Sequence, residues 1–533
     1  MYHSICCRTI VAIALLCMVV SATSATGQVT WDEFTELESE YKQAEQAYLD
    51  ALSAYLPDAY RAKFAGLSDK QMKQIADTRK LWEFWSLGGS AQFDFEKQFL
   101  GPIDQVGVML IFDAESIRDK DIQAARKKAG RLAEQLDRAK RKEGAELDPT
   151  VGVTSPTGIA FPKLDRPHST VDRLFVMERS MILAQTVGLP ESKDVLMQNA
   201  EFCASLDLDE AMFTMYANKV RMLTGVNAWV AHPVTTACAR DHSIDRKEGR
   251  ASGHSSTVPG KEGLGARAKR FGTPVRSEGA GGGKTGEAAI RGLSYGGGHT
   301  GPLYRSMRNV VGPGYHLGAM TAMYYHDNAY KHDCQEYRNE LFMPPGVTKT
   351  DLKTEALVAA YRELQQKQFA KAYAILDAAE KPEDKFQHAV QRYLLARIAA
   401  EVDWTLEGVE QFAEPGDVYA AKLRLDAAKQ ALAGISSFDK AVPKIEKWFE
   451  KDDIAAELEV GKRFREICAT GMSHDAFRKL IEDHPGSVYA KAAQKCIDDN
   501  LTADAKGYAP LMYFRVESPH INKWAYLVDV IGR

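Results

Sequence analysis

Gly253-His254-Ser255, Ser277-Glu278-Gly279 and Gly298-His299 punctuate the stretch from Asn218 to Tyr325, and the reading of that stretch decides the fold. Between Gly249 and Gly318 glycine is dense and no regular periodicity is sustained. Such composition predicts loops and short strands packed on helices, or else poorly ordered chain. His232, His242, His316, His326 and His332 lie in the same region. His326 and His332 are poorly spaced for one helical face, and His242 reads as a hydrogen-bonding residue at a helix end. Gly279-Ala-Gly-Gly-Gly283-Lys284-Thr285 imitates a phosphate loop. The first glycine of that pattern is replaced by Glu278, a carboxylate that would repel phosphate, and no apolar strand precedes it. No Gly-x-Ser-x-Gly elbow and no His-Glu-x-x-His helix appears.

Outward from this segment, the chain of 533 residues and 59.0 kDa has room for two to four domains. A net charge of −4 gives no footing for nucleic-acid binding as the main activity. Arg8, the apolar run Ile10 to Val20 and the small residues Ser21 to Ala25 form a secretory signal, with cleavage expected near Ala25 or Gly27. Leu15 and Leu16 precede Cys17 where a lipoprotein signal prefers a small residue. No later stretch is apolar enough to span a bilayer, so the mature protein is expected to be exported, outside the cell or in the envelope. Five cysteines remain after the signal: Cys203, Cys238, Cys334, Cys468 and Cys496. They are buried thiols, or form one or two bridges such as Cys203–Cys238 or Cys468–Cys496.

The flanks read as helices. Phe34, Leu37, Tyr41, Ala44, Tyr48, Leu52 and Tyr55 recur at helical spacing, and Leu81, Trp82, Phe84 and Trp85 form an aromatic cluster. Asp121 to Glu143 predicts a charged, Ala-rich helix solvated on most faces. The Pro/Thr/Gly-rich run from Asp148 to Pro167 reads as a linker or long loop. After Pro344-Pro345, amphipathic segments cover Glu355 to Glu380, Lys385 to Val402, Val418 to Ile435 and Phe438 to Ile467. Tyr361, Leu364, Phe369, Ala372, Tyr373 and Leu376 resemble a tetratricopeptide-like helical hairpin, as does the Phe477 to Ala490 stretch with its Pro485-Gly486 stop. Such units present a surface for a protein partner; a plain helical bundle is the alternative. The expected division is 1–27 signal peptide, 28–200 helical domain, 205–335 central domain, 346–500 helical repeat-like region and 501–533 tail, in which Tyr508 to Arg533 would dock as a strand or cap.

The central motifs resemble the bacterial form of the CAP superfamily (cysteine-rich secretory protein, antigen 5, pathogenesis-related 1), whose module is also called the SCP domain. Asn218-Lys-Val-Arg221 before Gly225 resembles its opening helix, and Asp241-His242-Ser243-Ile-Asp245 the end of its second. Gly253-His254-Ser255 resembles its His-bearing turn. Val258 to Lys261 and Arg267 to Gly272 match the pattern that follows, and Gly312 and Gly314 fit its strand entry. The resemblance implies a multidomain α+β protein with a central α-β-α sandwich, flanked here by mostly helical domains. It maps His254, Glu278 and His299 onto the family's cavity. Two imidazoles and one carboxylate suit one divalent metal such as zinc, with a position left for water. Without metal, Glu278 between two histidines could shuttle protons. The chain departs from the pattern at Gly279 (Asn in the family), at Ile290 to Leu293 (which lacks its Trp), at Gly297-Gly298 (Ser-Pro) and at Met320 to Tyr324, which stands for a Trp-Thr-Gln strand.

These readings lead first to an exported binding protein acting on a small apolar ligand, with a helical tail for a protein partner and more binding module than enzyme. The second reading is a metal-assisted, peptidase-like hydrolase with Glu278 as the catalytic general base and His254 and His299 as ligands. The third is an envelope scaffold with a degenerate CAP domain.

Overall fold

The computed structural model describes residues 30–86, 100–142, 148–294, 303, 308–327, 342–413, 416–471 and 473–498. The expected signal peptide, the aromatic side chains of Leu81 to Trp85 and the tail lie outside the described part. Among the described residues the first α-helices are α1 (Trp31–Ala65), α2 (Asp69–Ser86), α3 (Gly101–Leu110), α4 (Lys120–Lys142), α5 (Thr170–Thr186) and α6 (Pro190–Glu201). Thr30 starts α1 with a capping box, its hydroxyl accepting from the Glu33 N–H while the Glu33 carboxylate accepts from Thr30. Tyr41, Ala44, Tyr48, Leu52 and Leu56 form the buried stripe that their spacing predicts. The charged helix α4 is less solvated than expected. Ile122, Ala129, Ala133 and Leu136 are buried with Tyr48 and Leu52 of α1, because the small alanines let the two backbones approach.

The Pro/Thr/Gly-rich run is a strap laid on the central region. Thr154 bridges Ala160 within it. Ile159 and Phe161 pack against Ala268 and Phe271, and the Pro162 carbonyl accepts from Arg240 Nη1 at 2.9 Å. The Asp165 carboxylate accepts from His316 Nδ1 and from the Leu317 N–H, both at 2.8 Å.

The central region comprises α7 (Leu208–Leu223), β1 (Val230–Ala231), α8 (Pro233–Lys247), β2 (Ala251–Ser252), β3 (Ser255–Ser256), α9 (Leu264–Phe271), β4 (Ser277–Gly282), α10 (Gly286–Ser294), β5 (Val310–His316) and β6 (Ala319–Tyr325). One sheet has the order β1-β5-β6-β4, parallel only at β1–β5; β2 and β3 form a separate hairpin. The β5–β6 turn holds Leu317 at φ 43° and Gly318 at φ 91°, the two positive angles of a type I′ hairpin turn. Alternation splits the sheet's contacts. Thr321 and Met323 face α8 and α9, whereas Met320, Ala322 and Tyr324 join the core that holds α7 and α10. Helices therefore cover both faces of a small mixed sheet. A Cβ on Gly314 would lie 2.0 Å from the Arg240 nitrogen, and one on Gly312 2.4 Å from the Thr235 carbonyl carbon. These two glycines let α8 sit against the β5 backbone.

Eight helices follow: α11 (Glu355–Gln365), α12 (Phe369–Ala378), α13 (Lys385–Ala413), α14 (Val418–Leu432), α15 (Ser436–Phe449), α16 (Asp452–Thr470), α17 (His474–Asp483) and α18 (Val488–Asp498). The pairs α11/α12 and α17/α18 pack as hairpins. One apolar core runs from Tyr60 through the sheet to Phe449 and joins both helical flanks to the centre. Buried polar side chains lock that joint: Tyr60 donates its O–H to the Pro345 carbonyl, and Arg79 Nη2 donates to the Met343 carbonyl at 2.9 Å. Cys238 and Cys468 are buried and unbridged. Among the described residues no helix is long and apolar enough to cross a membrane.

Candidate functional site

Glu278 reaches the α8/α9 side of the sheet because β4 alternates. Its neighbour in register is Met323, while Gly281, of opposite parity, sits against Leu293 of α10. The β2–β3 hairpin turns at Gly253, φ 54°, and presents His254 to this side. His254 Nδ1 lies 3.1 Å from Glu278 Oε1. Arg267, on the inner face of α9, donates from Nη2 to the same oxygen at 2.5 Å. Its other donors go to the His254 carbonyl at 3.1 Å and the Lys261 carbonyl at 3.0 Å, so one guanidinium ties the hairpin, the following loop and β4 together. The Arg267 side chain is fully buried and that of Glu278 is 3% exposed, whereas His254 is 54% exposed. His254 is thus the outer wall of the site and Glu278 its floor.

Three buried atoms around this pair have no hydrogen-bond partner in the fold: Glu278 Oε2, Arg267 Nε and His242 Nδ1. Buried polar atoms are normally satisfied, so these three are exceptions concentrated at one place in the fold. His242 spends its other nitrogen on the Gly253 carbonyl at 3.0 Å, the hydrogen-bonding role expected of it, although it stands within α8 rather than at its end. Burial lowers its basicity below the ordinary histidine range. Burial likewise pushes the Cys238 thiol up to about 12. Behind the site, Lys261 Nζ bridges Asp241 at 2.7 Å and Asp245 at 3.0 Å, and Arg250 holds Asp245 from outside at 2.7 Å. Arg246 donates to the Met320 and Gly281 carbonyls at 2.6 and 2.8 Å, pinning α8 across β6 and β4.

A second buried ion pair supports the sheet from below. Glu210 of α7 takes Arg240 of α8 in a two-pronged pair at 2.8 and 2.5 Å and also accepts from the Tyr315 N–H at 3.0 Å. Asp207, the N-cap of α7, is fully buried beside it. Burial, then the Glu210 charge, raise its carboxyl to about 7. The resembled motifs are explained locally as well. Asn218 accepts from the Trp229 N–H at 2.7 Å and donates to its carbonyl at 3.2 Å, and Arg221 donates to the Asn227 carbonyl at 2.6 Å. Both close the loop between α7 and β1.

Where the family carries a Trp, Ile290 and Leu293 enter the common core. Arg291 pairs with Asp104 of α3, 4.8 Å above the Tyr216 ring. The phosphate-loop imitation is itself part of β4 over Gly279 to Gly282 and runs to the start of α10, so no apolar strand precedes it. Its helix start is taken: the Gly286 N–H donates to Asp209 Oδ1 at 2.9 Å, so a carboxylate of the chain occupies the place of an anion.

The structure brings together His254 and Glu278 of the sequence-derived set; His299 lies outside the described residues. Among the described residues no three of His, Cys, Asp and Glu are placed to hold a metal ion. Sequence reading passed over Arg267, Arg246 and the Glu210–Arg240 pair as chemistry. The one signal available was arginine at apolar-phase positions of short helices.

No protein-family model matches the chain, and no curated protein matches it. Among solved structures it is similar to an extracellular protein containing a SCP domain from Bacillus anthracis str. Ames. The match has 20% sequence identity and a TM-score of 0.21, covering 26% of this chain and 44% of that one. The likeness spans less than half of that protein's length.

Proposed function

We propose that the chain is an exported CAP-type binding protein whose central module holds a small ligand at Glu278, while the helices from residue 346 onward recruit a protein partner. The observation that carries this reading is the state of the Glu278 carboxylate. One oxygen is clamped by Arg267 and His254, and the other is buried with no partner. Such an oxygen accepts; it asks for a donor from outside. A proton taken up by Glu278 would leave the Arg267 guanidinium as an uncompensated buried cation, which favours holding a donor over acting as a base. The ligand class joins the apolar body that the resemblance implies to a hydroxyl donor that the unpartnered oxygen favours, in preference to a fatty carboxylate, which brings a second negative charge. Export rests on the signal-like N-terminus.

The second reading, metal-assisted hydrolysis, draws on the 3.1 Å approach of His254 to Glu278. One experiment separates the two. Cholesterol and palmitate binding and metal content are measured on the purified mature chain, His254→Ala and Glu278→Gln. Saturable cholesterol binding, weakened roughly tenfold in Glu278→Gln as a charge-assisted hydrogen bond is lost, supports the proposal. Absence of cholesterol binding, or palmitate bound as tightly, sinks it. Stoichiometric zinc that disappears in His254→Ala selects the hydrolase reading.

A further inference from the structure

Away from the central sheet, α2, α3 and α13 enclose a cleft of about 620 Å³, within the roughly 300–1,000 Å³ of small-ligand sites. Its walls come from both helical flanks: Lys73, Gln74 and Asp77 on α2, Pro102 and Gln105 on α3, Asp403 and Trp404 on α13. We propose that this cleft is a second binding site, for a neutral, hydroxyl-rich ligand of the short-oligosaccharide class.

Charge is the first argument. Among the described residues the lining holds three cations, Lys70, Lys73 and Lys80, and three anions, Asp77, Asp403 and Glu407, so these side chains balance in charge. Lys73 is moreover already engaged, with Nζ 3.0 Å from Asp77 and 2.9 Å from Asp403 across the cleft. Lys80 is paired with Glu401 at 2.7 Å. A charged group brought to Lys73 or Lys80 would have to break these pairs. Hydroxyl groups would not, because each carboxylate oxygen keeps acceptor capacity after one lysine contact.

Shape and surface are the second argument. The half-buried Trp404 ring and the Pro102 ring supply apolar walls, and the Gln74 and Gln105 side chains, bonded to each other, supply amide donors and acceptors at the rim. An apolar platform edged by fixed carboxylates and amides suits a ring with one apolar face and equatorial hydroxyls. The chemistry is independent of Glu278, so this site stands or falls separately from the central one.

The test is isothermal titration of the mature chain with N,N′,N″-triacetylchitotriose, cellotriose and, as a zwitterionic control, triglycine. Variants are Trp404→Ala, checked by circular dichroism, and Gln105→Ala, an exposed position whose loss does not threaten the fold. Saturable binding of a trisaccharide is expected, weakened roughly tenfold or more in Trp404→Ala, measurably in Gln105→Ala, and unchanged in His254→Ala. No heat from either trisaccharide at millimolar concentration overturns the proposal. So does trisaccharide binding indifferent to Gln105→Ala, or triglycine binding that the cleft variants abolish.

Discussion

Replacing Arg267 with methionine is the sharpest perturbation of the central site. The aliphatic stem is kept and the charge removed. Lost with it are the 2.5 Å contact to Glu278 and the donors to the His254 and Lys261 carbonyls. Because the Glu278 side chain is only 3% exposed, its charge is left buried without its cationic partner. Removing one member of a buried pair costs about 3–5 kcal/mol. The half-exposed His254, still 3.1 Å away, keeps the expectation near the lower end, about 3 kcal/mol. Hydrogen exchange read by mass spectrometry on peptides covering 254–282 is the suitable assay, since a chain of several structural regions has no single unfolding free energy. Exchange there should quicken roughly a hundredfold or more, while peptides from 452–498 stay unchanged. Arg267→Met combined with Glu278→Gln removes both charges and should recover much of the loss. A change below about fivefold, or a double variant no better than the single, would refute the view that this ion pair holds the site together.

Other outcomes follow from the same geometry. Gly314→Ala places a methyl group 2.0 Å from the Arg240 nitrogen and should cost about 3 kcal/mol or more, whereas Gly265→Ala, on an open face of α9, should gain ~0.5–1 kcal/mol; hydrogen exchange on peptides covering α8 and α9 checks the contrast. Asp207, raised to about 7 by burial, binds a proton in the folded state that the unfolded chain has already released above about pH 4. Its contribution is therefore full below pH 4 and lost as pH rises to 7, as much as ~4 kcal/mol. The stability of Asp207→Asn relative to wild type should accordingly rise between pH 5 and 8 in paired thermal scans, and a flat difference would contradict the raised value. Cys238 and Cys468, buried thiols pushed up to about 12, should resist iodoacetamide at pH 8 in the native protein and react once it is unfolded.

Much of the architecture was legible from local patterns. The helical stripe of α1 and the Pro485-Gly486 break before α18 are set by residues a few positions apart, where periodicity and turn chemistry act directly. So was the meeting of His254 with Glu278, through the resembled motifs. Less legible were contacts whose partners are far apart in sequence. The run from Asp148 to Pro167 has the composition of a linker, and only folding lays Asp165 on the β5–β6 turn and Pro162 on Arg240. The inner face of α4 is buried because α1 lies against it, a fact its own charge pattern does not contain.

The sequence by itself determined that both flanks are helical and which imidazole and carboxylate could share chemistry, while the glycine-rich segment from Gly249 to Gly318 proved to hold two short helices, α9 and α10. Tertiary structure alone decided that Arg267 and His254 hold one Glu278 oxygen and leave the other buried without a partner. It also decided that a chain carboxylate, Asp209, fills the helix start a phosphate would need, and that two distant helical flanks enclose the cleft beside Trp404. Propensity and capping act over one or two turns of chain, whereas burial and charge pairing depend on what the fold brings to the same place.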